Sequence, residues 1–405
     1  MAISIHHSRQ PPVSIGGVRS EIGTLRRVLV HRPGRELDRL TPSNASEHLF
    51  DDVVRPDIAR REHDALVDAL VESGAQILYL SDLLAGALLV PAAKIDLIEA
   101  ACATMIGERQ ERTVEWLHGL EPSRLATVLI EGASLEEAGL EGLESPGLRR
   151  AGEDPGFAVA PLVNQMFVRD TSVWLGRDLV LGAASNPIRA RETCAVEAIY
   201  GYHPLFGQTP GCRAPIVPPE IEGGDLMCLS DRRVMIGLGS RTSIDGAEAL
   251  ARLLFDDGFD RVLAVPIPAQ RSSIHLDCLM TLVDRDIALI DRRLLDAPVV
   301  ELHPVGDWVA LKQGPPLPRA LAAGLGIDSV RLVEVADQRE QWTLAANTVA
   351  VAPGRVVAFQ HNVRTNEALA AAGIEVLPVP GEELRRGGGG PHCLTSPLTR
   401  DPAVH

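Results

Sequence analysis

Apolar residues recur along this chain with two spacings, one typical of strands and one typical of helices. The short apolar runs at 27–31 and 75–80 predict two strands. Between them, over 57–73, apolar residues three and four positions apart predict an amphipathic helix that ends at Gly74. The N-terminal part of the chain therefore forms one strand–helix–strand unit.

The pattern changes over residues 82–150, which are rich in Ala, Leu and Glu and poor in strand signals. This stretch predicts helices near 92–106, 108–118, 122–131 and 134–143. We interpret it as a helical insertion. The expected organisation is the first part of an α/β domain at 1–81, the insertion at 82–150, and the remainder of the α/β domain at 151–405.

From about residue 157 the order hairpin, helix, strand repeats. The predicted hairpins pair 173–175 with 179–181, 226–229 with 234–236, 278–283 with 287–290, and 348–351 with 356–359. The predicted helices cover 188–200, 245–257, 316–325 and 364–372, and single strands are predicted at 262–265, 330–333 and 375–378. With the first unit, this order recurs about five times without sequence identity between the units. Such units can pack around a common centre, and an ordinary α/β sandwich fits the same pattern.

Composition narrows the classes of partner. The formal charge of −15 argues against nucleic acid or an anionic membrane as a partner, and it is compatible with a small cationic substrate. Six cysteines without a CxxC pair predict reduced thiols, not a disulfide framework or a zinc site. No signal-peptide pattern and no apolar run long enough for a bilayer are visible. We therefore expect a soluble, cytoplasmic protein.

A glycine run near the C-terminus is a candidate site for nucleophilic chemistry. Gly387 to Gly390 are followed by Pro391, His392 and Cys393. Glycines bend the chain where side chains would not fit, which could hold a thiol at a loop tip. Taken alone, the stretch is more typical of a linker that ends in an incidental cysteine.

Four polar clusters at predicted strand ends could supply partners for that thiol. They contain Asp170, the Glu-Gly-Gly-Asp segment at 222–225, the pair His275 and Asp277, and Arg241. In a strand His275 and Asp277 would share one face, where an imidazole beside a carboxylate suits acid–base work or metal ligation. Each cluster alone also fits an ordinary turn, cap or ion pair.

Together these residue types fit one task. A thiolate, an imidazole and several carboxylates suit attack on a planar, cationic carbon. Carboxylates can hold a guanidinium by paired hydrogen bonds and so fix its central carbon in front of the sulfur.

Several segments carry a likeness to a known family. They are NQMFVRD (164–170), RARET (189–193), EGGD (222–225), GSRTS (239–243), IHLDC (274–278), REQW (339–342) and GGGGPHCLTSP (387–397), with LTPSN (40–44) and LFDDV (49–53) near the N-terminus. In this order the chain resembles the arginine deiminase family nearly end to end. The resemblance implies the pentein fold, an α/β propeller of five pseudo-symmetric ββαβ units with an inserted helical domain.

The resemblance also implies a reaction and a role for each matching residue. The reaction is hydrolysis of L-arginine to L-citrulline and ammonia through a covalent thiouronium on cysteine, with no metal or organic cofactor. The implied partner is a small guanidino compound, and the implied assembly is a homo-oligomer, a dimer or tetramer. The implied roles are nucleophile for Cys393, guanidinium binding for Asp170 and Asp277, acid–base catalysis for His275, support of that histidine for Glu222, carboxylate binding for Arg189 and Arg241, and pocket lining for Asn164, Phe167 and Leu40.

The chain departs from the family's usual pattern at two places. Gly388 stands where the family usually has an arginine five residues before the cysteine. Residues 343–347 read Thr-Leu-Ala-Ala-Asn, where an acidic, Gly- and Asn-rich stretch is usual. Alternative functions are therefore hydrolysis of a modified arginine or of agmatine, amidino transfer, guanidine binding without turnover, and metal-dependent hydrolysis. Agmatine is disfavoured because it lacks the carboxylate that Arg189 and Arg241 would bind.

Overall fold

A computed structural model of the protein describes residues 17–143, 156–207, 220–306 and 308–403. Its strands are β1 Leu25–Val30, β2 Gln76–Tyr79, β3 Ala133–Ser134, β4 Phe157–Val159, β5 Ser172–Leu175, β6 Asp178–Leu181, β7 Leu226–Ser230, β8 Arg233–Leu238, β9 Arg261–Pro266, β10 Met280–Asp284, β11 Ile287–Ile290, β12 Val300–Val305, β13 Trp308–Gln313, β14 Arg331–Glu334, β15 Val349–Ala352, β16 Arg355–Phe359, β17 Glu375–Val379 and β18 Ser396–Arg400.

The helices alternate with these strands. They are α1 Pro56–Glu72, α2 Leu80–Ala87, α3 Pro91–Cys102, α4 Gly107–His118, α5 Pro122–Glu131, α6 Val168–Thr171, α7 Ala190–Tyr202, α8 Pro204–Gly207, α9 Ile244–Asp256, α10 Leu317–Leu325, α11 Gln338–Trp342 and α12 Val363–Ala371. Among the described residues, no helix combines the length and the apolar character needed to cross a membrane.

Four sheet units share one topology. In each, two antiparallel strands are extended by a third strand that lies parallel to the second one and follows a helix in the chain. The units are β7-β8-β9, β10-β11-β14, β15-β16-β17 and β18-β1-β2. The predicted order hairpin, helix, strand therefore describes these sheets, with the first and last strands of the chain sharing one of them. A fifth hairpin, β5-β6, precedes α7, and no third strand pairs with it in the described ranges.

Local sequence explains where the helices begin and which face they bury. Pro56 occupies the first turn of α1, where its missing N–H costs nothing, and Leu66 and Leu70 are fully buried one turn apart. At α9 the Ser243 side chain accepts a hydrogen bond from the Gly246 N–H, which caps the helix. Burial of a leucine of this kind contributes about 1.5–3 kcal/mol, so these faces fix each helix on its sheet.

Helices α2 to α5 form the predicted helical stretch, and one of the predicted helices there is wrong. Over 134–143 the chain instead pairs Ala133–Ser134 with β4 and then runs through turns. Gly139 and Gly142 have φ of 68° and 88°, values at which a right-handed helix cannot continue. The expected domain boundary at 150 and 151 lies outside the described residues.

Among the elements that were not predicted are a helix and a hairpin. Helix α2 follows β2 without a break, and the hairpin β12-β13 extends the β9 edge of its sheet. Helix α2 is only eight residues long, although its apolar residues have helical spacing. Strand β13 is largely exposed, so the apolar pattern of the hairpin is weak. The cysteines within the described residues are free, as predicted: Cys102, Cys194, Cys228, Cys278 and Cys393.

Candidate active site

The cysteine loop runs from a 3₁₀ helix at Leu384–Gly387 to β18 and is fixed from two sides. Helix α1 holds its start, because Glu62 Oε2 accepts hydrogen bonds from the N–H groups of Glu383 and Leu384 at 2.9 and 3.0 Å. Asn347 holds its end. Its Oδ1 accepts from the N–H groups of Gly390, His392 and Cys393 at 3.0, 3.1 and 3.2 Å. A single buried amide therefore sets the path of the loop that carries the thiol.

The Cys393 thiol is buried against an amide and a carboxylate. Its Sγ accepts from Asn347 Nδ2 at 3.1 Å and donates to Asp277 Oδ2 at 3.3 Å. A hydrogen bond with Cys278, burial and the charge of Asp277 raise the pKa of the Cys393 thiol well above its usual value. In this environment the thiol stays protonated at neutral pH until a positive charge approaches it.

A buried chain of charges supports Asp277 from behind. His392 Nδ1 lies 2.8 Å from Asp277 Oδ2, and His392 Nε2 lies 3.4 Å from Glu21 Oε2. Glu21 Oε1 in turn accepts from Arg169 Nη2 at 2.9 Å. Although burial opposes ionisation, the hydrogen bond with His392 lowers the pKa of Asp277. Asp277 is therefore charged next to the thiol.

His275 lies between two carboxylates on the opposite side of the site. Its Nε2 is 2.9 Å from Glu222 Oε2, and its Nδ1 is 3.5 Å from Asp170 Oδ1. Burial alone would lower the pKa of His275, but the charges of Asp170 and Glu222 raise it well above its ordinary value. The imidazole is therefore a cation at neutral pH and can donate a proton.

The 3₁₀ helix Gly223–Asp225 permits this close arrangement. A Cβ on Gly224 would lie 2.6 Å from His275 Nδ1 and 2.9 Å from Asp170 Oδ1. Both distances are shorter than real Cβ atoms show, so only glycine lets the backbone come this near to both side chains.

His275 and Asp277 do not share a strand face, so that prediction is wrong. His275 caps a 3₁₀ helix at Leu276–Cys278, and the two side chains diverge, one toward Glu222 and the other toward Cys393. Asp225 holds this turn by accepting from the Leu276 N–H at 2.8 Å. Burial raises the pKa of Asp225 to about 7.

The two predicted carboxylate-binding arginines are paired with acidic residues of the protein. Arg189 Nη1 donates to Asp170 Oδ2 at 2.7 Å, and its Nε donates to Glu192 Oε2 at 2.9 Å. Arg241 Nη1 donates to Glu222 Oε1 at 3.3 Å. The Arg189 guanidinium thus already contacts Asp170, one of the carboxylates expected to bind a substrate guanidinium.

These groups surround a small cavity. Residues 48–51, called the covering segment below, form part of its wall through Leu49. The centre of a water-sized sphere can occupy about 10 Å³ of this cavity, so the cavity has room for about one water molecule. The covering segment is tied down where Asn164 Nδ2 donates to the His48 carbonyl at 2.9 Å. The lining residues are Leu49, Asn164, Phe167, Asp170, Arg189, Arg241, Arg271, Ile274, His275, Gly387, Gly388, Gly389 and Cys393.

Seven of the ten predicted site residues line this cavity, and Asp277 and Glu222 contact its lining residues from behind. Leu40 is the exception. It lies in the same buried apolar cluster as Phe167 and does not line the cavity, whereas Leu49 does.

Three residues that organise the site were missed. His392 and Asp225 lie inside segments already singled out, so their chemistry was visible in the sequence. Asn347 also lies in a segment already singled out, 343–347, but nothing in the sequence connects it with a cysteine 46 residues away.

Two groups of side chains have the composition of metal ligands. Donor atoms of His275, Asp277 and Cys278, and those of Asp170, Glu222 and His275, lie within 4.8 Å of one another. In the second group Asp170 already binds the Arg189 guanidinium, which a metal cation would have to displace. The expected absence of a metal stays a prediction.

Comparison with solved structures defines the class of fold. DDAH from Pseudomonas aeruginosa complexed with citrulline aligns with a TM-score of 0.54 at 16% identity over 92% of this chain and 99% of that one. SxtG, an amidinotransferase from Microseira wollei, aligns with a TM-score of 0.56 at 12% identity over 96% of this chain and 98% of that one. The protein therefore has an α/β fold of the pentein type.

Sequence comparison gives the family. The family model for arginine deiminase matches residues 46–400. Arginine deiminases from Rhodococcus erythropolis and Mycobacterium tuberculosis are each 40% identical to this chain, over 95% of it and 98% of their own length. The chain belongs to the arginine deiminase family.

Proposed function

We propose that this protein hydrolyses L-arginine to L-citrulline and ammonia with Cys393 as the nucleophile. The observation that carries the proposal is the position of the thiol, which faces a cavity whose opposite side holds the Asp170 carboxylate and the His275 cation. Family membership supports arginine as the substrate. The roles of the individual residues are inferred from their contacts.

Substrate binding exchanges one guanidinium for another. The substrate guanidinium would take over Asp170 from Arg189 and lie between that carboxylate and Asp277. Arg189 and Arg241 would then turn to the substrate carboxylate. The cavity as it stands holds about one water molecule, so part of its wall, which includes Leu49, would move to admit arginine.

The first half of the reaction forms the covalent intermediate. The positive charge of the bound guanidinium favours loss of the Cys393 proton to solvent, and the resulting thiolate sulfur forms a bond to the central guanidinium carbon. His275 transfers its proton to one terminal nitrogen, the C–N bond breaks, and ammonia leaves. Its Nδ1 makes no hydrogen bond among the described residues and is the atom we assign to this transfer.

The second half returns the enzyme to its starting state. The neutral His275 now removes a proton from water, and the resulting hydroxide adds to the thiouronium carbon. The C–S bond breaks, the sulfur leaves as thiolate, and citrulline carries the new oxygen. The new hydroxyl loses its proton as the carbonyl of citrulline forms, and the Cys393 thiolate takes up a proton again. The proton that Cys393 first released to solvent converts the free ammonia to ammonium, so the overall reaction consumes one arginine and one water. Glu222 stabilises the charged form of His275 through the 2.9 Å contact.

We also propose the architecture and setting that fit this function. The sheet units would surround the site as a five-unit α/β propeller formed by residues 1–81 and 151–405, with residues 82–150 as a helical insertion. Four units of equal topology and a fifth hairpin support that arrangement. A homo-oligomeric state and a cytoplasmic location stay predictions.

A substrate panel tests the proposal. Purified protein is incubated with L-arginine, agmatine and N-methylated arginines, and products are identified by mass spectrometry. Citrulline and ammonia from L-arginine are expected, together with loss of turnover in Cys393→Ala at an unchanged melting temperature. If only another guanidine gave a product, that compound would be the substrate instead of L-arginine. Turnover retained in Cys393→Ala would exclude the thiol mechanism.

A further inference from the structure

Arg271 forms a wall between two cavities. It lies at the start of the 3₁₀ helix Arg271–Ser273 and lines the small cavity together with Cys393. It also lines an outer cavity, defined by Gln270, Arg271, Ser272, Arg293, Gln338, Gln341 and Trp342, which offers about 340 Å³ to the centres of water-sized spheres. Its guanidinium therefore marks the far end of the substrate pocket.

Two hydrogen bonds tie Arg271 to the segment that covers the pocket. Its Nε donates to Asp51 Oδ1 at 2.6 Å, and its Nη2 donates to the Leu49 carbonyl at 2.9 Å. Leu49 has a φ of 66°, which is costly for a leucine and needs support from its surroundings. Nη1 makes no hydrogen bond among the described residues, so this nitrogen still has donors for a ligand.

Gly388 leaves room for this nitrogen. Its φ is 87°, and a Cβ on it would lie 2.5 Å from Arg271 Nη1. A side chain at 388 and the present position of Arg271 exclude each other. The glycine run therefore places a cationic group from a different element in the pocket wall.

We propose that Arg271 is a specificity-determining residue that binds the carboxylate of a free amino acid through Nη1. The inference rests on the proposed function and adds a residue outside the predicted set. Asp170 and Asp277 place the guanidinium of the substrate near Cys393, which directs its anionic end toward the arginines of the cavity. Arg271 selects for that anion and, as a wall, against substrates extended beyond it.

The alternative is that Arg271 only holds the covering segment in place. Kinetics with two substrates separate the two roles, because agmatine has the guanidinium of arginine but lacks the carboxylate. For Arg271→Ala we expect KM for L-arginine to rise about 10- to 100-fold with kcat within about threefold, whereas KM for agmatine should rise only by the small factor that loss of the anchor causes. Asp51→Asn, which loosens the anchor but keeps the arginine, should raise KM for both substrates by the same small factor.

Two controls complete the test. Arg293→Ala, which removes an arginine that lines the outer cavity but not the inner one, should leave both substrates nearly unaffected. Gly388→Ala should impair arginine binding by displacing the guanidinium, and the double variant Gly388→Ala/Arg271→Ala should be no worse than Arg271→Ala alone. Equal losses for arginine and agmatine in Arg271→Ala, or the same losses in Asp51→Asn, would overturn the inference.

Binding keeps this test separate from the proposed function. Wild-type turnover of L-arginine reports on the function. Titration calorimetry of L-arginine and agmatine into Cys393→Ala and Cys393→Ala/Arg271→Ala reports on Arg271, whether or not citrulline forms. A Kd for L-arginine that rises at least tenfold on loss of Arg271 supports the inference. An unchanged Kd, or no binding of L-arginine to either protein, refutes it.

Discussion

Gly224→Ala tests whether catalysis depends on the close approach of the backbone to His275. The added methyl would lie 2.6 Å from Nδ1 and 2.7 Å from Cγ of the imidazole. Ordinary contacts begin at 3.4 Å, so the ring or the backbone must move by about 0.8 Å. The φ of Gly224 is not in the left-handed region, so alanine adds this clash without backbone strain.

The displacement should affect the rate more than the stability. A misplacement near 1 Å in an active site can cost about 100-fold in rate, because proton transfer depends on donor–acceptor geometry. Overpacking by one methyl group costs about 1–3 kcal/mol of unfolding free energy. We therefore expect kcat for citrulline formation to fall about 100-fold in a protein that still folds.

The assay measures citrulline formation and thermal unfolding of the same preparations. Gly201→Ala is the matched control, because Gly201 lies in α7 with nothing within 4 Å of its added Cβ. That variant should keep its kcat and gain about 0.5–1 kcal/mol, the usual preference of alanine over glycine in a helix. If Gly224→Ala kept kcat within threefold of wild type, the geometry of His275 could not depend on this contact.

Three further predictions concern the thiol, a buried acid and the cysteine loop. The alkylation rate of Cys393, measured against a Cys393→Ala blank, should have a pH midpoint well above 9. This midpoint should fall when a non-reactive guanidine binds, and an unchanged midpoint would contradict activation of the thiol by the substrate charge. The pKa of Asp225 is raised by burial to about 7, so its contribution to stability is full below about pH 4 and is lost as pH rises through 7. The free energy of urea unfolding of Asp225→Asn, relative to that of wild type, should therefore rise between pH 4 and pH 8, by on the order of 4 kcal/mol at most. An equal difference between the two proteins at both pH values would refute this. Asn347→Ala leaves three N–H groups without their acceptor, so it should lose about 3 kcal/mol of unfolding free energy and most of its activity. The control Asn366→Ala, which loses one half-buried hydrogen bond, should lose about 1 kcal/mol. Similar losses in the two variants would show that the loop does not depend on Asn347.

Local signals predicted much of the fold. The hairpins at β5-β6, β7-β8 and β15-β16 have short apolar strands around tight turns, and the sequence contains both features. The segment 134–143 was misassigned for the opposite reason. Its composition favours a helix, but Glu137 forms ion pairs with Arg35 and Arg39 and fixes a turn that only the folded chain explains.

The candidate site was predicted by residue type better than by geometry. Nine of its ten predicted residues meet around one cavity, because a thiol, an imidazole and carboxylates are recognisable as chemistry wherever they lie. The side to which each points was not predictable. His275 and Asp277 were expected to act side by side, and the 3₁₀ turn between them instead gives each a different partner.

The pairing of β1 with β18 determines when the site is completed during synthesis. Leu25 pairs with Arg400, and the Arg26 guanidinium bonds to the Asp401 carboxylate across 375 residues. Cys393 lies just before β18, so the ribosome must add 116 residues after Asp277 before the thiol can meet that carboxylate. Until then β1 has an unpaired edge that can bind another strand. A nascent or truncated chain would thus carry the acid–base residues without the nucleophile.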